Sequence, residues 1–210
     1  MNKSSKSNGF TLVELLIAMA ITGIVSAAIF STFLSQQKSY LIQEQVAEMQ
    51  QNLRAAMNMM VRDIRMAGYD PDRTSLAGFV GATGNSTSYI ISDNGTLKTI
   101  TYSLYDSSAD GDTDIGRKID PGYNQPIAEN IENMEFYYTL EDATQILTPA
   151  DPNNIRNVQI TILARTERTD SKFNNTKQYM TPSGANWGPY NDGFRRSLLS
   201  TTVKCRNMGL

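Results

Sequence analysis

The most prominent feature of the chain is an unbroken apolar stretch near its N-terminus. From Leu15 to Gln37 no residue is charged, and most side chains are Leu, Ile, Ala, Val, Met or Phe. At about 1.5 Å per helical residue, the stretch is long enough to cross a bilayer core of about 30 Å. The pattern therefore predicts that residues 10–34 form a membrane-spanning helical segment.

A second pattern continues the helix beyond this stretch. No Pro or Gly follows residue 34 until Gly68, and apolar residues recur every three or four positions. Such spacing marks one face of an amphipathic helix, and Gly68 followed by Pro71 is a typical helix end. We expect one helix over Phe10–Ala67, with residues 35–68 as its amphipathic half. The apolar face consists of Ile42, Val46, Met49, Leu53, Met57, Met60 and Ile64.

After this helix the pattern becomes alternating. Asn94-Gly95 lies between two alternating runs and is a strong hairpin signal. Residues 171–192 are polar and typical of a long loop, and residues 69–210 as a whole are expected to form a globular β-rich domain. The fold class is therefore α+β, with a long N-terminal helix packed on an antiparallel sheet. The predicted strands are 88–92, 97–104, 131–140, 158–164 and 198–204.

Composition and charge narrow the classes of function. The formal net charge is −2, and no basic patch indicates that the chain binds nucleic acid directly. The chain has no histidine, which removes the commonest general base and every His-dependent triad. We therefore expect no enzymatic activity and no required cofactor. Cys205 is the only cysteine, so no internal disulfide can form.

One charged residue does not fit a plain membrane anchor. Glu14 lies within the apolar stretch, where an unpaired charge costs about 2.5–3.5 kcal/mol at the bilayer centre. Lys3 and Lys6 precede it without any acid, which predicts a cytoplasmic N-terminus and an exported C-terminal part. A secretory signal peptide would have a shorter apolar run followed by its cleavage site. A simple signal anchor explains the length but gives Glu14 no purpose.

The residues around Glu14 resemble a known processing motif. Gly9-Phe10-Thr11-Leu12-Val13-Glu14, followed by Leu-Leu-Ile-Ala, is similar to the start of type IV prepilins and type II secretion pseudopilins. The resemblance implies that residues 1–9 are a leader peptide, which prepilin peptidase cuts between Gly9 and Phe10. It further implies N-methylation of Phe10, and a salt bridge between Glu14 and the Phe10 amine of the neighbouring subunit in a filament. The alternative is that Glu14 merely reaches toward lipid headgroups.

Later pieces of the chain extend this resemblance. Residues 64–71, 125–131, 158–165 and 195–207 look like those of PilW-type minor pilins, whose outline the J-type pseudopilins share. This implies a structural subunit that helps to initiate or cap a type IV pilus. Its partners would be other minor and major pilins, prepilin peptidase and the inner-membrane assembly platform.

The same resemblance implies a location. The protein would cross the bacterial inner membrane once with a periplasmic domain, and then join the pilus at the cell surface. A J-like pseudopilin of a type II secretion system is the alternative within the superfamily. A membrane-tethered periplasmic domain that binds a ligand or acts on polysaccharide is the alternative of another class.

One further pattern indicates ligand binding. Counted from Asp106, oxygen-bearing residues fall at alternate positions with Gly at the sixth, which is the opening spacing of an EF-hand calcium loop. The twelfth position is Arg117 instead of the usual Glu, and no helices flank the loop. The segment is therefore either a weak Ca²⁺ site or a solvated acidic loop. The ligands would be Asp106, Ser108, Asp110, Asp112 and Asp114.

Two groups near the C-terminus have open interpretations. Arg195 and Arg196 could dock a partner or simply be solvated. Trp187, Tyr190 and Phe194 could contact neighbouring subunits, or they could hold the long polar loop against the core.

Overall fold

The computed structural model describes residues 9–73, 76–109 and 111–209. The chain divides into two compact units, one ending at Glu44 and the other beginning at Gln45. A single α-helix contributes to both units, whereas the strands all belong to the second.

In the described part of the chain, one helix precedes a series of strands and a short 3₁₀ turn at Pro152–Asn154. The helix is α1 (Leu12–Arg65), and the strands are β1 (Gly78–Ala82), β2 (Ser86–Asp93), β3 (Thr96–Tyr105), β4 (Asp114–Ile119), β5 (Asn124–Ala128), β6 (Ile131–Leu140), β7 (Gln145–Ile146), β8 (Ile155–Arg165), β9 (Tyr179–Met180), β10 (Asn186–Trp187) and β11 (Arg196–Lys204).

Helix α1 is two residues shorter at each end than the sequence predicts. It begins at Leu12 because Thr11 acts as its N-cap: the Thr11 hydroxyl accepts a hydrogen bond from the Glu14 amide at 3.3 Å. At the other end the chain tightens into turns after Arg65, and Gly68 adopts a φ of +77°. A left-handed glycine just beyond a helix is a common way to end it. The predicted single helix is confirmed, and only its ends differ.

The second half of α1 forms one wall of the core. Five of the predicted apolar positions are buried there, and Ala56 joins them. Each such apolar side chain contributes about 1.5–3 kcal/mol by leaving water. The helix is therefore held mainly by packing against the strands. Its buried residues are Met49, Leu53, Ala56, Met57, Met60 and Ile64.

The first sheet has five antiparallel strands in the order β1-β2-β3-β4-β5. The hairpin predicted at Asn94-Gly95 is confirmed as the β2–β3 turn, where both residues have positive φ, as a two-residue type I′ loop requires. Strands β1, β4 and β5 were not predicted. β1 contains two glycines, and β5 contains Pro126, which a strand tolerates at a sheet edge.

The second sheet is antiparallel with the order β11-β8-β6-β7. The strands predicted at 131–140, 158–164 and 198–204 are confirmed as β6, β8 and β11, with β8 and β11 beginning earlier than predicted. The expectation of one sheet is wrong, since two sheets contribute to the core. From the second sheet, the buried residues include Met134, Phe136, Tyr138, Val158, Ile160 and Ile162.

The long polar segment before β11 is attached to the second sheet. On β6, Glu135 is only 5% exposed and accepts hydrogen bonds from the hydroxyls of Thr181 at 3.0 Å and Ser183 at 2.7 Å. A short hairpin of β9 and β10 lies within the same segment. Because a buried carboxylate needs such donors, Glu135 fixes this segment against the sheet.

A polar contact ties α1 to the first sheet. Asp63 on the helix accepts hydrogen bonds from the Tyr102 hydroxyl and from Nε of Arg117, both at 2.7 Å. Burial, followed by the hydrogen bond to Asp63, raises the pKa of Tyr102 well above its ordinary value. Partial burial alone would lower the pKa of Arg117, but the bonds and charges of Asp63 and Tyr102 leave it raised. The three side chains therefore form a charged cluster at the edge of the core.

Candidate functional site

The predicted processing site lies just ahead of α1. Gly9 and Phe10 are outside the helix, and Phe10 is 93% exposed. A side chain built on Gly9 would meet no atom of the described residues within 4 Å. The described part of the fold therefore does not require glycine at this position. The rest of the predicted leader, residues 1–8, lies outside the described residues.

Glu14 lies in the first turn of α1 and is held by the N-cap residue. Its Oε2 accepts hydrogen bonds from the Thr11 amide at 2.8 Å and from the Thr11 hydroxyl at 2.9 Å. This reciprocal arrangement is a capping box, in which Thr and a Glu three residues later satisfy each other's amide groups. The Thr-x-x-Glu spacing in the sequence is the signal that identifies Thr11 as a capping residue.

The apolar part of α1 presents its side chains outward. Within the described residues, α1 is the helix that is long and apolar enough to span a membrane. None of the residues in its most apolar stretch is buried. Exposed large apolar side chains extend along it from Leu12 to Leu41. Glu14 is the single carboxylate among them up to Gln37. The arrangement offers an apolar surface with one anionic group near its start.

In the acidic loop that begins at Asp106, the carboxylates that the structure describes contact other groups of the protein. Asp106 accepts a hydrogen bond from the Gly111 amide at 3.1 Å, Asp112 forms an ion pair with Arg165, and Asp114 accepts from Ser107. In the range the structure describes, no group of three or more metal-binding side chains is found.

Ser108 and Asp110 complete the set of predicted calcium ligands. Asp110 lies outside the described residues, whereas Ser108 lies within them, in a bend. Arg117, at the twelfth position of the calcium-loop pattern, forms an ion pair with Asp63. The predicted calcium site stays a prediction, and binding would compete with the Arg165 ion pair of Asp112.

Arg195 and Arg196 have different roles, and neither is simply solvated. The Arg196 side chain is 1% exposed and forms ion pairs with Glu132 at 2.8 Å and Asp192 at 2.6 Å. The Arg195 side chain is 40% exposed and pairs with Asp170 at 2.7 Å. Hydrogen bonding by Arg196 lowers the pKa of Asp192 below its ordinary value.

The aromatic residues of the long segment help to hold it in place. The guanidinium of Arg196 lies 3.9 Å from the ring centroid of Tyr190, whose hydroxyl accepts a hydrogen bond from Asn133. The Phe194 ring lies 4.4 Å from the guanidinium of Arg165. Trp187 forms part of β10 and is half-buried. Tyr190 and Phe194 thus attach the segment to the second sheet, which resolves the open interpretation for these two residues.

Cys205 is a structural residue. It is 2% exposed, and burial raises the pKa of its thiol to about 12. A thiol with so high a pKa is unreactive at neutral pH. The structure therefore gives Cys205 a place in the core and not at a reactive site.

Comparisons with known families cover both units. The family described as Type IV Pilus-assembly protein W matches residues 88–207. The prokaryotic N-terminal methylation motif matches residues 4–30. No curated protein matches the chain.

A solved structure agrees with the fold. A type IV-like pilin from Thermus thermophilus superposes with a TM-score of 0.54 at 14% sequence identity, covering 78% of this chain and 100% of that one. At this identity the likeness concerns the fold alone. The predicted α+β architecture, a long N-terminal helix with antiparallel strands, is confirmed.

Proposed function

Since the chain belongs to the Type IV pilus-assembly protein W family and is thus a minor pilin, we propose that it helps to initiate or cap the filament. The match to the pilus-assembly family lies in the β-rich unit, and the match to the methylation motif covers the start of the helix. The observation that carries the proposal is the exposed apolar helix with one carboxylate near its beginning. Its role is structural, without catalysis.

The first step of the proposal is cleavage between Gly9 and Phe10, followed by methylation of the new Phe10 amine. A protease binds an accessible stretch of backbone, and this stretch precedes the helix with Phe10 exposed. Because a Gly9 side chain would meet nothing within 4 Å among the described residues, we attribute the demand for glycine to the peptidase. A bulky residue at position 9 should therefore stop processing without disturbing the fold.

The second step is assembly through Glu14. In the single chain its carboxylate is held by Thr11. In a filament it would also accept the cationic Phe10 amine of the next subunit, so that two charges that are costly alone in an apolar setting neutralise each other. This pairing would set the axial offset between adjacent helices.

The proposed location and partners follow from the membrane anchor. Lys3 and Lys6 precede the apolar stretch, which favours a cytoplasmic start and a periplasmic β-rich unit. Before assembly the protein would reside in the inner membrane, and afterwards in the pilus at the cell surface. Its partners would be prepilin peptidase, the inner-membrane platform, and other minor and major pilins.

Three variants test this proposal. Gly9→Val should leave the leader attached, which mass spectrometry of the purified chain would reveal as an unmethylated, unprocessed N-terminus. Glu14→Gln keeps a hydrogen-bond acceptor for Thr11 but removes the charge, so the protein should stay in the membrane and be absent from sheared filaments. Thr11→Ala removes the capping hydroxyl but keeps the charge, and assembly should persist.

Three results would contradict the proposal. Normal cleavage of Gly9→Val would show that the assigned cut is wrong. If Glu14→Gln entered filaments as well as the unaltered chain, the carboxylate would not be needed for pairing. If Thr11→Ala instead failed as severely as Glu14→Gln, Glu14 would act through the helix cap.

A further inference from the structure

Strand β11 forms one edge of the second sheet, and its outer side pairs with no other strand in the part of the chain that the structure describes. The Arg195 carbonyl accepts from the Thr166 amide just before the strand begins. The Cys205 amide donates to the Arg156 carbonyl just after the strand ends. Antiparallel partners exchange such bonds at every second residue, so the odd-numbered residues of β11 bond to β8. The even-numbered residues direct their amides and carbonyls outward: Leu198, Ser200, Thr202 and Lys204.

The other edges of the two larger sheets are each interrupted, within the residues that the structure covers. The register of β1 with β2 shifts between Phe79 and Gly81, β5 contains Pro126, and β7 has two residues. Bulges, proline and short strands are devices by which proteins keep a sheet edge from pairing with another chain. Strand β11 has none of them, since it pairs with β8 over nine residues without a register shift. An uninterrupted edge of this length is a template for a further strand.

The free edge of β11 is cationic. Neither β8 nor β11 contains an acidic residue. Lys204 and Arg206 are exposed at the C-terminal end of the edge, and Arg54 of α1 is exposed near its beginning. None of the three forms an ion pair with another described residue. A strand added at this edge would therefore be stabilised by carboxylates near its two ends.

A cavity beside the start of β11 can receive one of these carboxylates. Its volume is about 200 Å³, and it lies between α1 and the first residues of the strand. The buried Leu53 and the half-buried Leu198 and Leu199 give it an apolar wall. Gln50 and Arg54 of α1 supply hydrogen-bond donors. A glutamate suits this lining, because its methylene groups contact leucine side chains and its carboxylate pairs with a guanidinium. In strand addition, such pockets give specificity while main-chain bonds give affinity.

A second copy of the chain is a poor occupant of this edge. Antiparallel pairing of two β11 strands about a two-fold axis places the end of each strand beside the start of the other. Lys204 of one copy would then approach Arg54 of the other, and like charges so placed are destabilising. The charges therefore favour a different subunit. Since β8 occupies the other side of β11, the edge accepts one strand and the contact does not propagate, which suits a subunit that starts or caps a filament.

We propose that the free edge of β11 binds an extended acidic strand of another pilin subunit. The strand pairs antiparallel with residues 198–204, and places one carboxylate in the cavity beside Arg54 and another beside Lys204. Its apolar side chains lie on the core face of the sheet, beside Leu199 and Val203. The inference rests on the proposed function and deepens it by giving the chemistry of one neighbour.

The test uses two synthetic peptides and the full chain in detergent. The acidic peptide alternates Thr and Val with Glu at each end, and the basic peptide has Lys at each end instead. Hydrogen exchange is followed at single amides by NMR. Without peptide, the amides of Ser200 and Thr202 should exchange quickly, whereas those of Leu199 and Thr201 should be protected by β8. The acidic peptide should protect Ser200 and Thr202, and the basic peptide should not.

Three variants separate main-chain pairing from charge. Thr202→Pro removes an outward-facing amide, which an edge strand tolerates, and should weaken binding of the acidic peptide about tenfold or more. Thr202→Val is the matched control, because it keeps the amide and should bind as the unaltered chain does. Arg54→Glu with Lys204→Glu reverses the charge of the edge, so this double variant should release the acidic peptide and bind the basic one. It leaves the main chain intact and thus tests the inference even if the proline disturbs the strand.

The inference is overturned if the two peptides bind equally, or if neither protects Ser200 and Thr202. It is also overturned if charge reversal leaves the preference for the acidic peptide unchanged. Protection of these amides that rises with the concentration of the chain alone would assign the edge to a second copy instead.

A parallel experiment in cells follows methylation of Phe10 and the subunits found in sheared filaments. Thr202→Pro should be processed but depleted from filaments, whereas Thr202→Val should enter them. Equal entry of both processed variants would refute the contact and leave the proposed function standing. An unaltered chain that is unprocessed and absent from filaments would refute the proposed function itself.

Discussion

Replacing Arg196 by Met should destabilise the β-rich unit more than any other single arginine change discussed above. Arg196 donates to Glu132 from Nε at 3.1 Å and Nη2 at 2.8 Å, and to Asp192 from Nη1 at 2.6 Å and Nη2 at 2.7 Å. It also stacks on Tyr190. Methionine would preserve much of the apolar contact but none of these bonds.

The magnitude follows from what the change leaves behind. Removing one partner of a buried ion pair costs about 3–5 kcal/mol. Glu132 and Asp192 retain 22% and 33% of their side-chain exposure, so water can partly solvate them and the cost should fall near the lower end. For a unit of this size, about 3 kcal/mol corresponds to a fall in unfolding temperature of about 6–12 °C.

The assay is thermal unfolding of the full chain in detergent, followed by circular dichroism, together with limited proteolysis. Cleavage should appear first within residues 171–192, because Arg196 holds this segment through Asp192 and Tyr190. Arg168→Met is the control: its side chain is 75% exposed, and the unfolding temperature should hardly change. A fall of 1 °C or less for Arg196→Met would show that the buried ion pairs do not hold the segment.

Three further predictions concern pH, backbone strain and calcium. Arg196 lowers the pKa of Asp192, so the ionised Asp192 stabilises the fold at pH values above the ordinary carboxyl pKa, and this stabilisation is lost as pH falls below about 4. Acid should therefore destabilise the unaltered chain more steeply than the Asp192→Asn variant. Gly68→Ala would force a Cβ to 2.7 Å from Met208 Sδ at a φ of +77°, which should cost about 1–2 kcal/mol or more by thermal unfolding. Millimolar calcium should raise the unfolding temperature, and less so for Asp112→Asn; an equal response of both chains, or none, would contradict the calcium site.

The elements predicted from sequence are those whose own residues carry the signal. Helix α1 shows an apolar run in its first half and apolar residues every three or four positions in its second half, and the β2–β3 hairpin has its turn fixed by Asn94-Gly95. In β6 and β8 apolar residues alternate along part of each strand, and these residues are buried in the core: Met134, Phe136, Tyr138, Val158, Ile160 and Ile162. In each case the local pattern and the tertiary environment agree.

The elements that were missed depend on contacts made by distant residues. In β4 three successive residues, beginning at Asp114, are buried, so no alternation is visible in the sequence. The Asp63–Arg117 contact joins residues 54 positions apart. Likewise Arg196 reaches Glu132 across 64 positions, and nothing near either residue indicates the pairing. Such contacts arise from the order of strands in the sheets, which no short window of sequence specifies.

Glu14 shows why one residue can carry two roles without conflict. The bonds from Thr11 use only one carboxylate oxygen, Oε2. Both oxygens of a carboxylate accept hydrogen bonds, about four in all, so capping still leaves Oε1 for a neighbour's amine. The cap also fixes the carboxylate near the helix start, which reduces the conformational entropy lost on pairing. We therefore expect Thr11→Ala to weaken assembly modestly and Glu14→Gln to abolish it. The opposite order in sheared filaments would mean that the cap, and not the charge, governs assembly.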